Sequence, residues 1–451
     1  MSRIITRKPI ELPATLRLLT AGLPWHRLGL GAILGLATFL NFFRLDRAGY
    51  PNAYYAATVR SMLTSWHNFF FAAYDPGGFV TVDKPPLGFW IQAASAKLFG
   101  FSAFSLLLPQ ALAGVLSVAV LYRLVSRPFG RAAGLLAALA LAVAPVNVAT
   151  GRNNTIDSLL VLVVLLAAWA VTHAAETGRL RWLVAGMALV GLGFNIKMLQ
   201  AYLVLPALVL VYLLTSPLRW RRRLAHLALA TTVLLAVSLS WAVAVDLTPA
   251  DRRPYVGGSE HNSVLDLALG YNGLGRLLGQ DGRSGAGRAA AFEPGQGVPA
   301  ADAGQSGGCQ PGQQPSGGAG PCMIGGGPGG ENGERGPLRL LNQQLAGQVG
   351  WLLPLAGLGL LIGGGQARPR LARRGRFRWS AEWSTPGVAR RWRALLLWGA
   401  WLVTMAVFFS VASFYHRYYL TMLSPAIAAL TGAGLAALWR DYRRPGAAMA
   451  A

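Results

Sequence analysis

Long apolar runs, separated by short polar or arginine-rich stretches, most constrain what this 451-residue chain can fold into. A helix that crosses a bilayer needs about 20 mainly apolar residues. Charged residues make up only 13% of the chain, whereas soluble domains carry about 25%. We therefore predict an all-α, polytopic transmembrane bundle of about 10–12 spans. The runs lie at 28–45, 103–125, 132–149, 157–175, 182–196, 199–215, 224–246, 345–364, 394–412 and 417–438.

Basic residues lie mostly in alternate connections between these runs. The net charge is +24, but this charge is divided among short loops rather than gathered on one soluble face, which argues against a nucleic-acid partner. The positive-inside rule assigns the arginine-rich connections to the cytoplasm. We therefore predict that the other connections, including 46–102 and 247–344, lie outside the cytoplasm, and that any chemistry carried there is extracytoplasmic.

The chain divides into five predicted segments. The connection 46–102 is too long for a simple turn, and its helical periodicity predicts two helices, over 52–66 and 87–99, that lie in the plane of the membrane interface. The segments are a cytoplasmic tail (1–27), a core (28–274), a Gly/Pro/Gln-rich disordered loop (275–340), C-terminal spans (341–438) with a basic cytoplasmic loop (365–393), and a cytoplasmic tail (439–451). Cys309 and Cys322 lie in the Gly-rich loop, where a disulfide and two free thiols both remain open.

Asp83-Lys84-Pro85-Pro86 is the most informative motif in the outer connection. An ionisable pair beside a membrane is by default a functional site, although an exposed ion pair of little energetic consequence is the alternative. A second charged stretch, Arg152-Asn153-Asn154-Thr155-Ile156-Asp157, opens a later span. Asp157 suits the first turn of a helix, so helix capping and a site role are both open and are compatible.

These residues, together with Asn52-Ala53-Tyr54-Tyr55-Ala56-Ala57, resemble the membrane glycosyltransferases of the GT-C superfamily. The resemblance is to the protein-mannosyltransferase and ArnT (aminoarabinose transferase) branch, including its YkcB-like bacterial members. It implies a multi-pass enzyme of the bacterial plasma membrane. Such an enzyme moves a sugar from a polyprenyl-phosphate carrier to an extracytoplasmic lipid, protein or cell-wall acceptor.

The resemblance also implies roles for particular side chains. Cations are needed where the lipid phosphate departs as an anion, and a carboxylate is needed to accept the proton of the acceptor hydroxyl. The candidate carboxylates are Asp83, Asp46 and Asp157. The candidate contacts to phosphate or substrate are Lys84, Arg152, Lys197, Asn52, Tyr55, His416 and Arg417. No cofactor is certain; a divalent metal bound by Asp83 and His261 is an open alternative.

The chain departs from the family at one position. Relatives carry an Asp-Glu pair just before the first interfacial helix, whereas this sequence has Pro51-Asn52. An asparagine cannot act as a base, so Asp83 or Asp46 is expected to take that role. Two other classes of protein stay in view: a transporter or flippase for a polyprenyl-linked substrate, and a non-catalytic subunit that binds the lipid carrier.

Overall fold

The computed structural model describes residues 24–275, 332–366 and 386–443. These residues form fifteen α-helices and, apart from isolated bridges, no β-strand. The helices are α1 (Trp25–Phe42), α2 (Ala53–Met62), α3 (Trp66–Phe71), α4 (Leu87–Phe99), α5 (Ala103–Phe129), α6 (Arg131–Val143), α7 (Pro145–Gly151), α8 (Asp157–Thr177), α9 (Leu180–Lys197), α10 (Leu205–Thr215), α11 (Trp220–Asp246), α12 (Val264–Leu269), α13 (Leu353–Gln366), α14 (Pro386–Val411) and α15 (Ser424–Tyr442). The predicted all-α class is confirmed.

Six helical stretches in the described part are long and apolar enough to cross a membrane, or seven if the bent pair α6–α7 is counted as one. This number is below the ten apolar runs of the sequence because several runs fold into broken or shorter helices. The two runs at 182–196 and 199–215 lie within one such stretch, Leu180–Thr215, and the run at 345–364 forms only the short helix α13. The protein is therefore a multi-pass membrane protein.

Identifiable residues cause the breaks. Pro145 begins α7, which is bent by 60° from α6, because proline cannot donate the hydrogen bond that would continue the helix. Met198 adopts φ 45°, ψ −135° directly after α9, and the chain then passes through the 3₁₀ segment Met198–Val204 into α10. This break produces the hairpin that the short spacing between the two runs predicts.

Helix α8 is the most buried of the candidate spans, with 72% of its apolar window inside the bundle. Its 21 residues cover about 30 Å, and each of its ends carries a carboxylate. Glu176, in the last turn, pairs with Arg127 of α5 at 3.5 Å and with Arg393 of α14 at 3.3 Å. Asp157, the first residue of α8, pairs with Lys197 instead. The arginine-rich end of the bundle is therefore opposite the end that carries Asp157.

The connection 46–102 forms short helices in the two regions that the sequence predicts, with one correction. Helix α2 ends at Met62, and a separate helix, α3, begins at Trp66 because the Ser65 side chain accepts a hydrogen bond from the Asn68 N–H and caps it. Tyr55, Val59 and Met62 are buried as the periodicity predicts, whereas Trp66 is 83% exposed. The single predicted helix over 52–66 is therefore two helices.

The predicted disordered loop 275–340 is described only at its ends, and its last residues are ordered. Arg339 is buried, donates hydrogen bonds to the carbonyls of Phe409 and Ala412, and lies over the ring of Tyr415. A single arginine thus satisfies carbonyls at the end of α14. Cys309, Cys322 and most of the basic loop 365–393 and of both tails lie outside the described residues.

Asn154 clamps the outer connection to the bundle. It is fully buried; its Oδ1 accepts from the N–H of Asn52 at 2.9 Å, and its Nδ2 donates to the carbonyl of Asn52 at 2.8 Å. The Gln92 side chain of α4 donates to the backbone carbonyl of Asn154 at 2.9 Å. A single residue, Asn154, thus holds both the start of α2 and the middle of α4.

We expect Asn154→Ala to lower the free energy of unfolding by about 2 kcal/mol, since two buried hydrogen bonds are lost and their backbone partners are orphaned. Thermal or denaturant unfolding in detergent micelles measures this change. Asn153→Ala is the matched control, because the Asn153 side chain makes one local bond, to the N–H of Thr155. An equal decrease in unfolding free energy in the two variants would show that Asn154 does not hold the connection 46–102 to the bundle.

Candidate active site

The Asp83–Lys84 pair lies where the outer connection meets the loop after α11. Lys84 is buried, and its Nζ is 2.5 Å from Asp83 Oδ2. The preceding backbone is held in place by that loop: the N–H of Thr81 donates to the carbonyl of Tyr255, and the N–H of Tyr255 donates to the carbonyl of Phe79. The two chain segments therefore position the pair together.

The loop 255–273 covers this pair closely. A Cβ atom on Gly257 would be 2.2 Å from the carbonyl oxygen of Thr81, so only glycine permits this approach. Asn272 Nδ2 donates to the carbonyl of Asp83 at 2.9 Å, and Lys84 Nζ is 5.1 Å from the centre of the Tyr271 ring. The segment 255–273 thus completes the surroundings of the Asp83–Lys84 pair.

A second aspartate–lysine pair lies at the outer ends of α8 and α9. Asp157 is fully buried, Lys197 is nearly so, and Lys197 Nζ is 2.5 Å from Asp157 Oδ1. The ammonium group also lies 3.7 Å from the centre of the Tyr419 ring and 4.9 Å from that of Tyr418. These cation–π contacts stabilise a charge that has lost most of its water.

The two pairs form one electrostatic cluster around Tyr55. Burial, and then the carboxylates of Asp83 and Asp157 with the nearby tyrosines, raise the pKa of Tyr55 well above its ordinary value. The Tyr55 hydroxyl therefore stays protonated at any physiological pH and can act only as a neutral donor or acceptor.

Each aspartate uses one oxygen for its lysine and leaves the other without a partner. Asp83 Oδ1 and Asp157 Oδ2 are buried atoms that accept no hydrogen bond within the described part of the chain. A buried carboxylate oxygen without a donor is costly, so these two atoms are where a ligand hydroxyl would be favoured.

Comparison with known proteins places this site in a family. Residues 83–241 match the family model described as dolichyl-phosphate-mannose-protein mannosyltransferase. The chain is 41% identical to the putative mannosyltransferase YkcB and 42% identical to the putative mannosyltransferase YycA, both of Bacillus subtilis. These alignments cover 93% and 91% of this chain and 64% of each relative, so the chain spans less than two thirds of the relatives' length.

The fold agrees with this assignment. The crystal structure of ArnT from Cupriavidus metallidurans bound to undecaprenyl phosphate superposes with a TM-score of 0.56 at 20% identity. The match covers 91% of this chain and 60% of that protein. The chain is therefore similar to PMT/ArnT-like membrane glycosyltransferases, in sequence to the mannosyltransferase relatives and in fold to ArnT. The resemblance identified from its motifs is confirmed.

Asn52, at the position where the resemblance predicts an acid, has a structural role in this chain. Asn52 is the N-cap of α2: its Oδ1 accepts from the N–H of Tyr55 at 3.0 Å, while its backbone is held by Asn154. An asparagine is among the preferred N-caps. Asn52 thus caps α2 and, through its bond to the Tyr55 N–H, helps to position Tyr55 in the first turn of that helix.

Two of the predicted site residues have other surroundings. The Arg152 Nη1 donates to the carbonyls of Leu40, Asn41 and Phe43, so Arg152 caps the C-terminus of α1. Asp46 is exposed in the 3₁₀ turn Leu45–Ala48, and no described contact links it to either lysine pair. Neither Arg152 nor Asp46 makes a described contact with the two aspartate–lysine pairs.

The two predicted metal ligands, Asp83 and His261, contact different partners. His261 is exposed and its Nδ1 is 3.5 Å from Asp266 Oδ2, which also accepts from the N–H groups of Glu260 and His261. Asp83 bonds to Lys84. Across residues 24–275, 332–366 and 386–443, no three His, Cys, Asp or Glu side chains group as metal ligands would.

His416 and Arg417 lie at the start of the 3₁₀ segment Arg417–Met422. The His416 ring stacks on Tyr418, with centroids 5.2 Å apart, and thus borders the rings that contact Lys197. Sequence reasoning missed the contact of Tyr418 and Tyr419 with Lys197. It also missed the positions of Asn154 and Asn272, since no local pattern marks a contact between distant loops.

We expect the Asp157–Lys197 pair to be strongly coupled. Lys197→Met alone leaves a buried, unpaired carboxylate, which costs about 3–5 kcal/mol of unfolding free energy. In the double variant Asp157→Asn/Lys197→Met both charges are absent. The decrease in unfolding free energy is therefore smaller than the sum of the decreases in the two single variants. Denaturant unfolding of the four proteins of this cycle measures the coupling.

A matched cycle on the exposed pair Asp251–Arg252, whose side chains are 78% exposed and 4.0 Å apart, should show little coupling. Additive losses at Asp157 and Lys197 would mean that the two charges do not stabilise each other.

Proposed function

We propose that this chain transfers a sugar from a polyprenyl-phosphate carrier to an extracytoplasmic lipid, protein or cell-wall acceptor. The observation that carries the proposal is the cluster of two buried aspartate–lysine pairs, each with one carboxylate oxygen left without a partner. The names of the relatives support it, since they describe mannosyltransferases and an ArnT bound to undecaprenyl phosphate.

The chemistry of transfer matches this arrangement. The bond between the anomeric carbon and the phosphate oxygen breaks, and its electron pair leaves with the phosphate. The ammonium groups of Lys84 and Lys197 stabilise that developing charge, and fixed cations in a dry site do so strongly. The acceptor oxygen bonds to the anomeric carbon, and its proton passes to a carboxylate.

Asp83 is our first choice for the base. Its Oδ1 has no partner within the described residues, and its side chain, at 20% exposure, is the more accessible of the two carboxylates. Asp157 Oδ2 is the second choice, because it lies deeper and its carboxylate is fully buried. The Tyr55 hydroxyl, which makes no hydrogen bond within the described residues, is suited to donate to a sugar or phosphate oxygen between the two pairs.

A lipid-linked donor explains why the pairs lie at the end of a membrane bundle. The carrier chain would remain in the bilayer while its phosphate meets the lysines. The arginine-rich end of α8 would be cytoplasmic by the positive-inside rule, which puts both aspartate–lysine pairs on the outer side of a bacterial plasma membrane.

The outer location is tested by labelling intact cells with a membrane-impermeant maleimide. In a Cys309→Ser/Cys322→Ser background, we expect Asp251→Cys, in the loop beside the cluster, to be labelled, because this loop faces outward. Arg221→Cys, at the opposite end of α11, should be labelled only after the cells are permeabilised. The reverse pattern would put the cluster in the cytoplasm.

The activity is tested with purified protein in lipid and radiolabelled polyprenyl-phosphate sugars. We expect Lys84→Ala to lower the transfer rate by about 10²–10³-fold through lost charge stabilisation. Asp83→Asn should lower it by about 10²–10⁴-fold through loss of the base. The labelled donor should still bind Asp83→Asn.

The matched controls are Asp251→Asn and Arg252→Ala, which alter an exposed aspartate–arginine pair in the loop after α11. Both variants should keep the wild-type transfer rate. Lipid binding without transfer from any donor would favour the carrier-binding or flippase alternative. Full transfer by Asp83→Asn would assign the base to another group, with Asp157→Asn as the next variant.

A further inference from the structure

The three lysines of the described residues differ in their partners. Lys84 and Lys197 each hold an aspartate at 2.5 Å. The side chain of Lys97, in the last turn of α4, makes no ion pair or hydrogen bond to any described residue. Instead, it lines a groove on the surface of the interfacial helices.

This groove is large and mainly apolar. Its volume is about 410 Å³, within the range of cavities that hold small organic ligands. It forms because α2 ends at Met62 and the chain turns into α3, while α4 presents the small side chains of Ala93 and Ala94 opposite. Leu63, Trp66 and Phe69 supply the rest of its apolar wall.

The surroundings of the groove are those of a membrane interface. Trp66 is 83% exposed, and Leu98 and Phe99, next to Lys97, are 77% and 62% exposed. The span α5 begins only four residues after Phe99. Tryptophan is enriched at the level of lipid headgroups, and a lysine at that level directs its ammonium toward anionic phosphate.

We propose that this groove binds an anionic membrane phospholipid, with one acyl chain along Leu63, Trp66 and Phe69 and with the phosphate at Lys97. The groove supplies an apolar wall for a chain and one cation without a protein carboxylate to neutralise it. An anionic lipid satisfies both features, whereas a soluble anion would leave the apolar wall exposed to water. The site is separate from the two aspartate–lysine pairs and does not depend on sugar transfer.

The proposal is tested on full-length protein in nanodiscs without any sugar donor. The nanodiscs carry trace phosphatidylglycerol or phosphatidylcholine with a photoreactive diazirine in the acyl chain, and mass spectrometry locates the adducts. We expect adducts on peptides covering 62–69 and 93–97. Phosphatidylglycerol should be captured about fivefold more than phosphatidylcholine, the effect of one lysine at a headgroup.

Lys97→Gln should abolish this preference, while Arg60→Gln, an exposed basic residue of α2 outside the groove, should keep it. Ala94→Trp should fill the groove and lower capture of both lipids, while Leu98→Trp, on the exposed side of the same helix, should not. Equal capture of the two lipids by the wild type, an unchanged preference in Lys97→Gln, or adducts only elsewhere would each overturn the proposal.

Discussion

The buried contact between Asp157 and Lys197 fixes the outer ends of α8 and α9, and the rest of the candidate site is arranged around it. Two charges removed from water cost more than a single contact returns unless further groups stabilise them. Here the rings of Tyr418 and Tyr419 lie against the ammonium. The segment after α14 is thereby drawn to α8, although it is more than 200 residues away in the chain.

Uncharged polar side chains and indole groups hold the outer helices to the bundle. The indole N–H of Trp90 donates to the carbonyl of Phe69, and that of Trp241 to the carbonyl of Phe70, so two distant tryptophans satisfy the end of the short helix α3. Asn154 holds the start of α2 in the same manner. These groups meet the backbone requirements at the start of α2 and at the end of α3.

Much of the architecture could be predicted from the sequence. Apolar runs of spanning length have few alternatives to helices in a bilayer, since every backbone group must be satisfied within its own segment. The interfacial helices were also predictable, because their periodicity is local. The partners of single side chains were not predictable: the Arg152 guanidinium caps α1, and the His261 Nδ1 lies 3.5 Å from Asp266 Oδ2.

The sequence by itself determined the class of fold, the alternation of arginine-rich and outer connections, and the motif Asp83-Lys84-Pro85-Pro86, because each depends on composition or on neighbours along the chain. Only the tertiary structure decided that Asp157 binds Lys197, that the carboxylates of both pairs act on Tyr55, and that Asn52 is a helix cap. These outcomes depend on which side chains meet across segments far apart in the chain. A buried charge selects its partner by distance and burial, and neither quantity can be read from sequence spacing.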